Sequence, residues 1–297
     1  MPRRCDLWRI GIVRAPIEAI ARAGSLEPFA IDWLEEPADF RFRADPFALR
    51  RGGVLHLFAE AYDYRDRHGR IVHLTIDAQG RAAPPQVALA EQWHLSYPQL
   101  IDDGGALFML PEASKGGGLT LYRATDFPLG WEAVTNIVLD VVPVDATPFR
   151  HDGRWWLAYA SGTDRRSSMA TLHLAVADRL QGPWRAHPGN PVRVDRGGAR
   201  PGGTPFLLDG QLVIPVQDNR ATYGGAIRLL KVDRLSDQHF EASLGPHLVP
   251  PASAGRYSAG LHTLSAGGDV TLIDVKRIDR SGRGWLIDAR RRFIRRG

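Results

Sequence analysis

The chain has 297 residues, 44% hydrophobic and 24% charged, an ordinary globular balance with enough apolar material for a core. Lys and Arg total 38 against 33 Asp and Glu, and the resulting +5 gathers into no basic stripe or binding motif, so no nucleic-acid partner is expected. A single cysteine, Cys5, excludes an internal disulfide, and no 18-residue apolar run or signal-type leader is seen; together these point to a cytoplasmic, soluble protein.

In chain order, Leu7-Trp-Arg-Ile-Gly-Ile-Val13 reads as a strand without a near partner. Residues 14–44 form a lead-in segment in which Ile17 and Ile20-Ala21 hint at a helical turn. A unit then recurs five times, centred on Gly53, Gly105, Gly153, Gly210 and Gly268. The spacings, by subtraction, are 52, 48, 57 and 58 residues, within the range of propeller blades. Each glycine marks a hairpin tip, because Arg-Gly-Gly, Asp-Gly-Gly, Asp-Gly and Gly-Gly supply the positive φ angles of tight turns. The flanks read as strands, as in Val54-Leu-His-Leu-Phe58, Leu107-Phe-Met-Leu110 and Trp155-Trp-Leu-Ala-Tyr159.

A third strand follows each hairpin and ends at Asp77, Asp126, Asp178, Asp233 or Asp288. A fourth opens on Trp131, Trp184 or Phe240, with Gln86-Val-Ala-Leu89 serving blade one. Blade five has no room for a fourth strand, so the run Leu7 to Val13 is expected to fill it and hide the open edges. The predicted fold is all-β: a five-bladed β-propeller of four-stranded blades over residues 1–297, its ring closed by the N-terminal strand.

Register turns this pattern into a candidate site. Eight residues before the glycines stand Asp45, Tyr97, Asp145, Gly202 and Gly260; seven after them stand Glu60, Glu112, Ala160, Gln217 and Val275. Antiparallel strands bring their far ends together. Asp45 with Glu60, Tyr97 with Glu112, Asp145 with Ser161, and Gly202 with Gln217 and Asp218 should therefore share one polar mouth. His94 is expected there too, and His262, six residues before Gly268, falls near the axis. A lone histidine is weak support for a metal, so neither a metal nor another cofactor is expected. Trp155 and Trp156 alternate across a strand, and core packing is the expectation for both.

Asp45-Pro46-Phe47 and the run Val144-Asp145 through Leu157 resemble blades one and three of the family 43 arabinanase/xylosidase-type glycosidases, as do Gly182-Pro-Trp184 and Asn190-Pro-Val192 in the outer strands. A nearer resemblance is to the propeller-like N-terminal region of plant glucosamine inositolphosphorylceramide transferases and their bacterial relatives. It is carried by Trp93-His-Leu-Ser-Tyr-Pro98, Met109-Leu-Pro-Glu112, Leu121-Tyr-Arg-Ala124, Phe127-Pro-Leu129, Arg200-Pro-Gly-Gly203, Gln217-Asp218 and Tyr223-Gly224. In the plant proteins the recognised sugar-transferase domain is a separate C-terminal part.

The family 43 resemblance implies Asp45 as general base and Asp145 as the carboxylate that orients the sugar. It then breaks, because blade four carries Arg200-Pro-Gly-Gly-Thr-Pro205 where those glycosidases carry their acid glutamate. The replacement acid would be Glu112 or Asp218. Otherwise the leaving group must be good without a proton, as a nucleotide or lipid phosphate is, and Arg200 would suit it through paired hydrogen bonds, the rival reading of Arg200 being a structural pair with Asp145 or Asp218. Tyr97, Gln217 and Tyr223 complete the expected substrate contacts.

Three functions follow: sugar transfer in cytoplasmic surface-glycan or glycolipid assembly, an inverting glycoside hydrolase, or a non-catalytic glycan-binding module. The implied partner is a sugar donor or glycan, nucleotide- or lipid-phosphate-linked in the first case. Arg290, Arg291, Arg292, Arg295 and Arg296 form either a solvated tail or a contact with an anionic membrane.

Overall fold

The computed structural model describes residues 4–116 and 118–294. The chain opens with β1 (Cys5–Val13), α1 (Ile17–Ala23) and β2 (Ile31–Trp33). Blade one is β3 (Arg41–Arg51), β4 (Val54–Asp63), β5 (His68–Ile76) and β6 (Gln86–Leu89); blade two is β7 (Ser96–Asp103), β8 (Ala106–Glu112), β9 (Leu119–Asp126) and β10 (Gly130–Ile137). Blade three is β11 (Pro143–His151), β12 (Arg154–Ser161), the short helix α2 (Arg165–Ala170), β13 (Thr171–Ala177), β14 (Arg185–Ala186) and β15 (Arg193–Val194). Blade four is β16 (Phe206–Leu208), β17 (Gln211–Asp218), β18 (Ala226–Leu235) and β19 (Phe240–Leu248), and blade five begins with β20 (Gly260–Ala266) and β21 (Thr271–Asp279), followed by α3 (Arg283–Ile294). Five antiparallel sheets form the ring, blade three adding β15 beside β13.

Blade five closes the propeller in the order β2-β1-β21-β20. Cys5 through Val13 pair in unbroken register with Asp279 back to Thr271. Closure by the N-terminal strand is as predicted, but the strand expected to end at Asp288 is absent, and α3 stands in its place. The physical reason is occupancy: β1 already holds the free edge of β21, and β2 from the lead-in segment becomes the outer strand. The helical turn expected near Ile17 is α1. Of the basic tail, Arg295 and Arg296 lie outside the described residues.

Four of the five tips are two-residue turns with both residues at positive φ: Gly52-Gly53, Gly104-Gly105, Asp152-Gly153 and Asp209-Gly210. That geometry matches the twist of the strands it joins. The fifth tip is a longer loop closed by the pair Ala266 and Thr271. Apolar clusters fill each of the five gaps between neighbouring blades. Trp155 and Trp156 are both buried on opposite faces of β12, Trp155 toward blade two and Trp156 toward blade four, as strand alternation requires. Both are core, as expected.

Candidate active site at the axial mouth

Opposite the hairpin tips, a cavity of about 960 Å³ opens on the axis. Its wall includes Asp45, His94, Glu112, Asp145, Arg200, Tyr223 and His262, drawn from all five blades. These side chains meet because each inner strand has its axial end on this face. In blades one, two and three that end carries a β-bulge, between Ala44 and Phe47, Ser96 and Gln99, and Val144 and Thr147. The first residue inside each break stands at positive φ: Asp45 at 51°, Tyr97 at 47° and Asp145 at 50°. None is a glycine, and each such conformation costs roughly 1–3 kcal/mol, so the strain is repeated in phase at the site.

The bulges aim backbone N–H groups at carboxylates of the preceding blade. Asp45 N–H donates to Asp274 Oδ2 at 2.8 Å, Tyr97 N–H to Asp45 Oδ2 at 3.2 Å, and Asp145 N–H to Glu112 Oε2 at 3.4 Å. Blade after blade, one acidic side chain receives the next blade's strained amide. The chain of contacts fixes the acids in place and supplies donors that favour their charged forms.

At the blade five end, His262 Nδ1 lies 2.7 Å from Asp274 Oδ1, and Nε2 lies 3.4 Å from Asp45 Oδ1. The imidazole stacks on Trp8 with ring centroids 3.7 Å apart. Burial would push its pKa down, but Asp274 and Asp45 outweigh burial and hold it above the usual histidine value. Ligand atoms of Asp45, His262 and Asp274 lie within 4.8 Å of one another, close enough to share a cation. With the imidazole protonated, His262 itself provides the positive charge between the two carboxylates. Burial raises Asp45 to about 6, opposed by His262.

Arg200 grips Asp145 with two parallel hydrogen bonds, from Nε at 2.7 Å and Nη2 at 3.1 Å, and its Nη1 donates to Ser168 O at 3.1 Å. Its guanidinium also lies over the Tyr223 ring. Gln217 Nε2 adds a third bond to Asp145, at 2.8 Å. Burial pushes Asp145 up to about 6 against the pull of Arg200, and Arg200 is held above its ordinary value despite burial.

A second carboxyl unit sits on blade one. His94 Nδ1 accepts the Gly69 N–H at 2.9 Å, so the proton of the neutral ring is on Nε2, which faces Glu60 Oε1 at 3.4 Å. Burial drives His94 down to about 4 and pushes Glu60 well above the usual carboxylate value, helped by the nearby Asp45 and Glu112. Glu60 therefore belongs to the wall as a carboxyl that holds its proton more tightly than an ordinary one.

Three sequence-predicted residues are not on the wall. Tyr97 lies beneath the floor, where its hydroxyl accepts the Gly203 N–H at 2.6 Å and meets Thr147 Oγ1 at 3.1 Å, tying blade two across the axis to blades three and four. Gln217 is buried behind Asp145 and acts on it. Asp218 points away, because alternation along β17 turns it to the opposite face from Gln217; there it pairs with Arg220 at 2.5 Å and His247 at 3.3 Å. Although burial opposes it, those partners hold its carboxyl below the usual range. Nor does Arg200 have its fork free for a phosphate.

Sequence reasoning passed over Asp274, Lys115 and Arg165, and it set Glu60 at the mouth without giving it a role. Glu60 shares its register with Glu112, a signal already present in the repeat. Asp274 falls one place off register because the blade five hairpin has a longer loop and a bulge at His262. Lys115, in the β8–β9 loop, and Arg165, at the start of α2, line the rim, exposed and without an ion pair among the described residues. The facing wall is aromatic, with Trp8, Phe42, Tyr62 and Tyr64.

The family model described as glucosamine inositolphosphorylceramide transferase 1, N-terminal, matches residues 33–260. The chain is 34% identical over 253 residues to glucosamine inositolphosphorylceramide transferase 1 of Oryza sativa subsp. indica, covering 80% of this chain and 33% of that protein. It thus spans about a third of the length of the curated relatives it matches. Among solved structures, a family 117 glycoside hydrolase of Zobellia galactanivorans aligns with TM-score 0.57 at 13% identity, over 92% of this chain and 90% of that one. A GH43 β-xylosidase/α-arabinofuranosidase from a compost microbial metagenome gives TM-score 0.57 at 12% identity, over 83% and 93%. At these identities the likeness carries the five-bladed fold alone.

Proposed function

The chain belongs to the glucosamine inositolphosphorylceramide transferase 1 N-terminal family, and from that membership we propose that the axial pocket is a carbohydrate active site that transfers one glycosyl unit from a phosphate-linked donor. The observation that carries this reading is a division of charge. Asp45, Glu112 and Asp145 share one floor, no carboxylate among the described residues stands on the blade four wall, and Lys115 and Arg165, without an ion pair among the described residues, overlook the floor from the rim.

In this reaction Asp45 takes the proton of the acceptor hydroxyl as its oxygen bonds to the anomeric carbon. The bond from that carbon to the donor's phosphate oxygen breaks, and its electron pair leaves with the phosphate. A carboxylate raised to about 6 is ionised at neutral pH yet more basic than an ordinary one, which suits a general base. The departing phosphate needs no proton, so the missing blade four acid is no handicap. Lys115 and Arg165 offset the charge it carries away. Glu112 and Asp145 face the positive charge that builds on the sugar ring, and Glu60, whose proton is held more tightly than an ordinary carboxyl's, donates to a sugar hydroxyl. Tyr97 beneath the floor supports chemistry on a single terminal sugar rather than within a polymer.

The test is turnover of nucleoside-diphosphate and lipid-phosphate sugars by the purified chain. Product formation that is lost in Asp45→Asn supports transfer. Hydrolysis is the second reading, favoured by the carboxylate floor; release of sugar from an uncharged aryl glycoside, with no use of phosphate donors, would replace the first by the second. Saturable glycan binding without turnover, insensitive to Asp45→Asn and Glu112→Gln, would make the domain a binding module. The proposal extends to cytoplasmic assembly of a surface glycan or glycolipid, in keeping with the single buried thiol of Cys5.

A further inference from the structure

The C-terminal helix ends up beside the mouth. Strand β21 runs from its hairpin tip toward the axial face, and α3 starts four residues after Asp279, where that strand ends. Two ion pairs hold the helix beside blade one: Arg67 Nη2, in blade one, to Asp288 Oδ1 at 2.8 Å, and Arg283 Nη2 to Asp39 Oδ2, in the segment that leads into β3, at 2.6 Å. Arg67 sits in the β4–β5 turn, the same turn that brings Tyr64 to the cavity wall. The helix and the mouth therefore share one face of the propeller.

That helix leaves its apolar residues in solvent. Trp285 is 64% exposed and Leu286 61% exposed, adjacent in sequence and among the most exposed large hydrophobics of the described residues. After Ile287, Asp288 and Ala289 the sequence continues into Arg290, Arg291 and Arg292, so three positive charges follow the apolar pair within six residues. On the same face Lys115 and Arg165 are exposed without an ion pair among the described residues. A tryptophan and a leucine flanked by arginines match the interfacial zone of a bilayer, where an indole sits at headgroup depth and guanidinium groups meet lipid phosphates. Among the described residues no helix is long and apolar enough to cross a membrane, so the match is to its surface.

We propose that the mouth face docks on an anionic lipid bilayer through α3, with Trp285 and Leu286 inserted among the headgroups, so that the pocket opens toward lipid-borne glycans. The direction of opening rests on the carbohydrate reading; the docking does not.

The experiment is co-sedimentation of the full chain with vesicles of phosphatidylcholine alone and of phosphatidylcholine with phosphatidylserine. Binding is expected on the phosphatidylserine vesicles, weakening as salt is raised. The double variant Trp285→Ser, Leu286→Ser changes only exposed side chains and should keep the native circular dichroism and melting temperature while losing binding by about tenfold or more. Arg290, Arg291 and Arg292 changed together to Gln should lose the preference for phosphatidylserine. A wild-type chain that stays in the supernatant with phosphatidylserine vesicles, or a folded double variant that binds as well as wild type, overturns the proposal. Turnover of a soluble nucleoside-diphosphate sugar needs no bilayer, so failure of the docking and failure of the carbohydrate reading are separate results.

Discussion

Arg200 and Asp145 form a buried two-bond ion pair between blades four and three, with Nε–Oδ2 2.7 Å and Nη2–Oδ1 3.1 Å. The guanidinium fork is thereby already committed. Removing one partner leaves the other charge buried alone, so Arg200→Ala is expected to cost about 3–5 kcal/mol of stability. Arg200→Lys should recover only part of this, because a lysine cannot reproduce the fork. Thermal or urea unfolding measures both. Replacing both residues with leucine should restore much of the stability and none of the turnover, separating the structural from the chemical role.

Asp45 makes stability depend on pH in a direction opposite to that of most carboxylates. Its folded pKa of about 6 stands above the ordinary 3.8, so the native state binds the proton more tightly than the unfolded chain does. The contribution is full below about pH 4 and is lost as pH rises through 6. A rise from 3.8 to about 6 corresponds to about 3 kcal/mol. Asp45→Asn, which has no such proton, should therefore gain on wild type by about that amount between pH 4 and pH 7.5 in parallel urea titrations. Turnover should move the other way, wild type losing activity as pH falls through 6 and the variant being inactive throughout. A constant stability difference across that window would contradict the raised pKa.

Gly69 is the hinge of the Glu60–His94 unit. A Cβ there would meet Leu95 O at 2.5 Å, and Glu60 Oε1 and His94 Cε1 each at 2.7 Å. Gly69→Ala should thus push both side chains off position, with an overpacking cost of about 1–3 kcal/mol and weaker sugar binding. If Glu60 acts as a protonated donor, Glu60→Gln keeps a donor in the same place and should bind nearly as wild type, whereas Glu60→Ala should weaken binding about tenfold. Calorimetric titration with the sugar product distinguishes the two. Equal loss in both variants would mean that Glu60 acts as an anion.

The ring was legible in the sequence because glycine hairpin tips recur at blade spacing, and the meeting of Asp45, Glu112 and Asp145 followed from register alone. Blade five was misread where register slips. Its longer tip and its bulge put His262, not Gly260, at the position matching Asp45, and Asp274 rather than Val275 beside it. Asp288 had the spacing of a strand end, but spacing carries no information on whether a partner edge is free, and β1 had taken it. Asp218 was placed by strand end without regard to facing, which differs by half a pleat from Gln217. Arg200 and Asp145 lie 55 residues apart, so the sequence could offer their pairing only as one of two structural alternatives to a phosphate grip, and the fold selects it.

Lys115 and Arg165 give the transfer reading its sharpest test, because they decide between a charged and an uncharged leaving group. Both are exposed and unpaired among the described residues, so neither substitution should alter folding by more than about 0.5 kcal/mol. If the pocket takes a phosphate-linked donor, Lys115→Ala and Arg165→Ala should each raise its KM about tenfold, the scale of one charge-assisted hydrogen bond. Lys115→Arg should retain more than Lys115→Ala, since charge matters more than shape at an exposed phosphate contact. The KM of wild type should also rise with ionic strength, and that dependence should flatten when both cations are removed. An uncharged aryl glycoside has no phosphate to hold, so its turnover, where present, should be unchanged in either variant. Equal losses on charged and uncharged substrates would assign the two residues to the shape of the mouth and remove the main support for a phosphate donor.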